Sequence, residues 1–225
     1  MVQGTLFVGG IMISDEVQEL LYKAIQIFDA LAEKDYLVFG QISLRHSTDV
    51  FQIRIKKEYF WHLLGCKARK NVDNLYSRCL NKEKIVDCLD YTKGSSESMC
   101  REKYNAFIKV FDFVSYAKEI RICDTKDTPD KFNFVLAIGH FSGIIGYDSR
   151  QPSKLYFPKS TQSKPIKEYN TKSTARKIIA IMGKDCSESY YNCIRYEIKK
   201  NILKDIIKNI DLEHKKIIDK AILDG

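Results

Sequence analysis

Apolar residues recur at helical spacing after Ser14. Val17, Leu20, Leu21, Ala24, Ile25, Phe28 and Leu31 fall on one face, which predicts an amphipathic helix over 15–34. Asp15 and Glu16 stand in its first turn, where acids complement the helix dipole. The period then shortens. Tyr36–Leu44 and Val50–Lys56 read as strands, and in the second Phe51, Ile53 and Ile55 alternate with Gln52, Arg54 and Lys56. Lys57–Leu64 reads as a helix that stops at Gly65. Val72–Leu80, Lys82–Leu89 and Ser98–Ala117 read as three more, the last with Phe107, Ile108, Phe111 and Val114 on one stripe.

The texture changes at residue 119. Glu119–Cys123, Phe132–His140, Gly143–Asp148 and Lys154–Phe157 are short β-rich runs punctuated by Gly, Asp, Pro and Ser, the pattern of an antiparallel meander. Lys177–Met182 adds an apolar strand, and Cys193–Lys199 reads as a strand or a helix start. Asn201–Leu223 is an amphipathic helix broken near Asp211. The expected fold is therefore α+β: helices packed on one curved antiparallel sheet of about five strands, with a C-terminal helix. Residues 1–200 are expected to form a single domain. Residues 201–225 are expected to pack on that domain or on a partner.

Composition narrows the class. The 225 residues are 44% hydrophobic and 29% charged, as in ordinary soluble domains. No apolar run approaches the ~20 residues of a membrane span. Met1–Ser14 is apolar, but Gly9-Gly10 interrupts it and no Lys or Arg precedes it, so it fails as a secretory signal. A cytoplasmic protein is expected. The cysteines number 7, with no CxxC pair; they read as reduced, mostly buried thiols rather than disulfides or metal ligands.

The formal charge is +8, and it is concentrated. Residues 154–184 carry Lys154, Lys159, Lys164, Lys167, Lys172, Arg176, Lys177 and Lys184 against Glu168 alone, whereas the remaining chain is nearly balanced. Such a stretch attracts polyanions by releasing counterions, and nucleic acid is the commonest partner of that kind. The alternative is a solvated loop.

Four histidines offer proton transfer near neutral pH. His46 and His214 sit among polar residues and read as surface. His62 lies beside Trp61, the single tryptophan, and His140 ends an apolar strand among Gly139, Ser142 and Gly143. A Walker loop, GxGxxG, HExxH and GxSxG are all absent from the sequence, as is an acidic cluster of the two-metal kind.

The run Phe51-Gln-Ile-Arg-Ile-Lys-Lys-Glu-Tyr-Phe-Trp-His-Leu-Leu-Gly65 resembles the strand-plus-"FLHLTG" segment of the phage-associated barnase–EndoU–colicin–RelE-like nucleases, fourth group. Leu75-Tyr76, Cys79-Leu80-Asn81, Phe134–Asp148, Leu155–Pro158, Ala175–Lys184 and Tyr191–Tyr196 follow that group's order, so the resemblance covers about residues 50–200. One departure is clear: the family's Thr is Leu64 here. The resemblance implies a compact α+β nuclease of phage or toxin type, acting on RNA without metal or other cofactor. His62 is the residue it carries over, as proton carrier. Chemistry and strand-end position add His140 as a second acid/base, and Ser160 or Tyr147 as a hydrogen-bond donor. They also add Arg54 and Lys159 as phosphate ligands, with Lys154, Lys164, Lys167, Lys172 and Arg176 along the RNA. The rival reading is a catalytically inactive RNA- or partner-binding module. In that reading Leu64 marks lost catalysis and the terminal helix docks an antitoxin, another inhibitor protein or a second copy.

Overall fold

The computed structural model describes residues 15–42, 47–69, 74–85, 88–91, 97–124, 134–150, 155–168 and 175–224. Its centre is a closed mixed barrel, which corrects the expectation of helices packed on one curved antiparallel sheet of about five strands. Seven strands close it: β1 (Lys34–Gln41), β2 (Asp49–Ile55), β8 (Leu155–Gln162), β7 (Gly143–Arg150), β6 (Leu136–His140), β5 (Arg121–Asp124) and β9 (Arg176–Asp185), with β9 pairing back onto β1. The pairings are antiparallel except β2–β8, which run parallel and share only Gln52↔Leu155 and Ile53↔Tyr156. β5 meets β9 only at Arg121↔Lys177 and Ile122↔Arg176. The edge of β9 that β5 leaves is taken by an extra strand, β10 (Cys193–Glu197). A separate hairpin pairs β3 (Cys66–Ala68) with β4 (Leu89–Tyr91).

Closure follows from strands buried on both faces, a pattern that local alternation does not announce. Every residue from Asp35 to Gly40 of β1 is buried. Tyr36 and Val38 join Ile53, Ile138, Ile145 and Ile181 in the main core, whereas Leu37 and Phe39 join Ile179 and Met182 in a second cluster. The main core is completed by α1 (Asp15–Leu31) and α4 (Glu97–Val110), whose apolar stripes supply Leu21, Phe28, Phe107 and Val110. Phe107 and Phe111 stack at 4.4 Å, and Phe28 lies 5.0 Å from Phe111. Small residues let the layers approach: a Cβ on Gly143 would lie 2.8 Å from the Cβ of Ala106 in α4.

The second cluster sits under the C-terminal segment. That segment is three short helices rather than one: α5 (Ile202–Asn209), α6 (Leu212–Lys215) and α7 (Lys220–Asp224). The break falls at Ile210 and Asp211, where extended backbone lets the Asp211 side chain cap α6 through the His214 N–H. Leu203, Ile206 and Ile207 pack on Leu37 and Phe39, so the segment belongs to the same core. The expected helix over Lys82–Leu89 is also corrected: of its described residues, Lys82 is in a turn, 83–85 are irregular, Cys88 is 3-10 and Leu89 opens β4. Helix α3 spans Leu75–Leu80. No helix of the described residues is long and apolar enough to cross a membrane.

Cys66, Cys79, Cys100 and Cys123 are buried and Cys193 is exposed. Burial pushes the Cys66 and Cys79 thiols up to about 12, and the thiolate is the reactive form. Brief maleimide labelling at pH 8 is therefore expected to mark Cys193 first. Cys66 and Cys79 should label only in denaturant, as peptide mapping would show; rapid native labelling of Cys79 would contradict this packing.

Candidate active site

The segment after β2 carries His62. Lys57–Tyr59 forms one 3-10 turn, anchored where the Lys57 N–H donates to Glu33 Oε1 at 2.9 Å. It runs into α2 (Phe60–Leu63). Phe60 and Leu63, three positions apart, are fully buried, so a single turn spends one face on the core and turns the other outward. Phe60 sits 5.1 Å from Phe28 and 4.8 Å from Trp61. Gly65 ends the turn in the left-handed region (φ 74°), its N–H donating to the His62 carbonyl at 3.1 Å. Leu64, where the resemblance implies Thr, is 0% exposed. His62 itself is exposed, and among the described residues no hydrogen bond or ion pair engages its imidazole.

Because β2 leaves β8 after Tyr156, the edge of β8 beyond that residue lacks a partner in β2; α2 packs against β8 instead. The Tyr59 ring lies 6.0 Å from that of Phe157. In this stretch the β7–β8 register shifts: Tyr147 pairs with Pro158 and Gly146 with Ser160, so Lys159 is the extra residue of a bulge. Lys159 Nζ lies 2.7 Å from Asp148 Oδ2, with about a third of the side chain exposed. Ser160 Oγ accepts from Gln162 Nε2 at 2.8 Å. His62 is thus on the helix that packs on the strand bearing Lys159 and Ser160.

The other proposed residues lie elsewhere. His140 ends β6 with Nε2 3.7 Å from Glu119 Oε2, on a strand separated from β8 by β7. Tyr147 faces the main core, fully buried, its hydroxyl without a hydrogen-bond partner among the described residues; burial pushes its pKa well above the usual phenol value. Arg54 is clamped by Asp35, with Nε and Nη2 donating to the two carboxylate oxygens at 2.7 Å each. Those hydrogen bonds hold the guanidinium further on the charged side than usual. Lys184 Nζ lies 3.8 Å from the same Asp35. Arg176 pairs with Asp49. Lys164 stands 3.9 Å from Glu168, and Lys167 is exposed nearby. Lys154, Lys172 and His46 lie outside the described residues.

The basic stretch is therefore not one ribbon. β8 and β9 are separated around the barrel by β2 and β1 one way and by β7, β6 and β5 the other, and Lys159, Lys164, Arg176 and Lys184 each face a carboxylate. Among the described residues no group of three His, Cys, Asp or Glu is placed to hold a metal ion.

A polar cleft also opens where β2, β8 and β9 begin, against the C-terminal helices; its walls include Asp49, Tyr156, Arg176 and His214. His214 is 21% exposed, with Nδ1 2.8 Å from both Asp211 carboxylate oxygens. Reading His214 as plain surface missed this. The available signal was the Asp211–His214 spacing of three residues at a helix start.

Neither a protein of curated function nor a solved structure matches the chain. The phage-Barnase-EndoU-ColicinE5/D-RelE like nuclease4 family does, over residues 20–200, a span holding the whole barrel, α2 with His62 and the bulge at Lys159. The chain belongs to that nuclease family.

Proposed function

We propose that the chain is a metal-independent endoribonuclease of phage or toxin type. It cuts RNA by attack of a ribose 2′-OH on the adjacent phosphodiester. The observation that carries this reading is the exposed, unengaged imidazole of His62 on the turn packed against β8, inside the family-matched residues. His62 takes the proton of the 2′-OH as O2′ bonds to phosphorus. The P–O5′ bond breaks, a solvent water protonates the departing 5′-oxygen while the His62 imidazolium returns its proton to solvent, and a 2′,3′-cyclic phosphate remains. Lys159, a third exposed, exchanges Asp148 for the phosphorane and offsets its developing charge. The Ser160 hydroxyl donates to a non-bridging oxygen.

The inactive-module reading rests on Leu64. Its full burial supports taking that position as core packing, where a methyl-rich side chain replaces a short polar one without reaching a ligand. Substrate chemistry tests the proposal. In excess chelator the protein is expected to cut single-stranded RNA and to spare both DNA of the same sequence and fully 2′-O-methylated RNA. Cleavage of DNA, or binding of RNA without cleavage, would refute it.

A further inference from the structure

The polar cleft at the start of β2 and β8 has a volume of 330 Å³, at the low end of the roughly 300–1,000 Å³ of small-molecule sites. Arg176 is its most constrained group. The side chain is 16% exposed, Nε donates to Asp49, and the guanidinium lies 5.8 Å from the centre of the Phe51 ring. Its Nη1 is buried and, among the described residues, has no hydrogen-bond partner, a state whose cost disappears when an acceptor arrives. Asp49 is 43% exposed and uses Oδ2 for Arg176, which among the described residues leaves Oδ1 as an acceptor. Tyr156 contributes aromatic surface beside Phe51, the two rings 6.1 Å apart.

A donor row next to an acceptor, beside an aromatic face, is what the edge of an unpaired purine satisfies. We propose that this cleft takes an unpaired guanine base of the RNA, an inference that rests on the ribonuclease reading above. Arg176 donates to O6 and N7, the commonest arginine–base contact. Asp49 accepts from N1–H and the N2 amino group, and Tyr156 stacks. Adenine fits worse, because its N1 lone pair would face the Asp49 carboxylate. A phosphate fits worse too, since Asp49 and Asp211 both line the cleft and repel an anion. Tyr156 and Ser160 are four residues apart on β8, about 13 Å at ~3.3 Å per residue. A short single-stranded segment bridges that distance, so one strand of RNA reaches both sites.

Binding of non-cleavable RNA tests the cleft apart from the chemistry. Fluorescent, fully 2′-O-methylated tetranucleotides are titrated with the full chain and read by anisotropy. Guanine-containing oligomers are expected to bind about tenfold tighter than those of A, C or U, and inosine, which lacks the N2 amino group, should lose part of that preference. Arg176→Gln and Asp49→Asn should each abolish it. The inosine comparison changes only the ligand, so it decides the matter even if Arg176→Gln fails to fold. Equal binding of all four sequences, or a guanine preference that survives both substitutions, would overturn the proposal. Guanine preference without RNA cleavage leaves the base site standing and removes the ribonuclease reading; cleavage without base preference does the reverse.

Discussion

Alanine at position 62 is expected to slow metal-free RNA cleavage by about 10²–10⁴-fold, the usual contribution of a positioned acid–base group. The same change should move stability by no more than about 0.5 kcal/mol, because the side chain is exposed and unengaged. Phe60 and Leu63 hold the turn in place without it. His62→Gln should lose as much activity as His62→Ala, since glutamine keeps polarity and bulk but carries no proton near neutral pH. The measurement is a single-turnover rate on labelled RNA in chelator, with a thermal melt as control. Activity within about twofold of the parent would remove His62 from the chemistry.

Asp35→Ala should give the largest loss of stability outside the apolar core. Asp35 is 2% exposed, yet it faces two cations, Arg54 at 2.7 Å and Lys184 at 3.8 Å. Removing the carboxylate leaves both without a counter-charge, and Lys184, only 12% exposed, then keeps the Glu188 and Ser189 carbonyls and the Tyr191 ring as neutral partners. Breaking a buried pair this way costs about 3–5 kcal/mol. Arg54, a third exposed, recovers some hydration, which places the expectation near 3 kcal/mol. For a chain of this size that corresponds to a melting temperature lower by about 6–12 °C. A urea titration checks the free energy; a shift below about 1 kcal/mol would show that solvent already screens the cluster. The clamp also explains why Arg54, read in the sequence as a phosphate ligand, is committed to structure.

Local pattern exposed much of the secondary structure and little of the closure. The α1 stripe and the Phe51–Ile55 alternation were legible because each buries one face, and periodicity records that directly. The barrel was not, for a different reason. Its closing contacts are β9 back onto β1, β8 parallel to β2 and the two-residue meeting of β5 with β9, all joining segments distant in sequence. β1 is buried on both faces and so shows a plain apolar run. Of the candidate site, the sequence exposed the residue types but not their arrangement. His62 stood out through its neighbours, while the dispersal of the lysines depends on strand order, which composition does not encode. Asp35, Asp49 and Asp211 could not be singled out as partners of Arg54, Arg176 and His214, since carboxylates are scattered along the whole chain.

The termini left on cut RNA test the central claim most directly. Mass spectrometry of products formed in chelator should find 2′,3′-cyclic phosphates on one fragment and 5′-hydroxyls on the other. Products ending in 3′-hydroxyl and 5′-phosphate, or cleavage that begins only when a divalent ion is added, would contradict it.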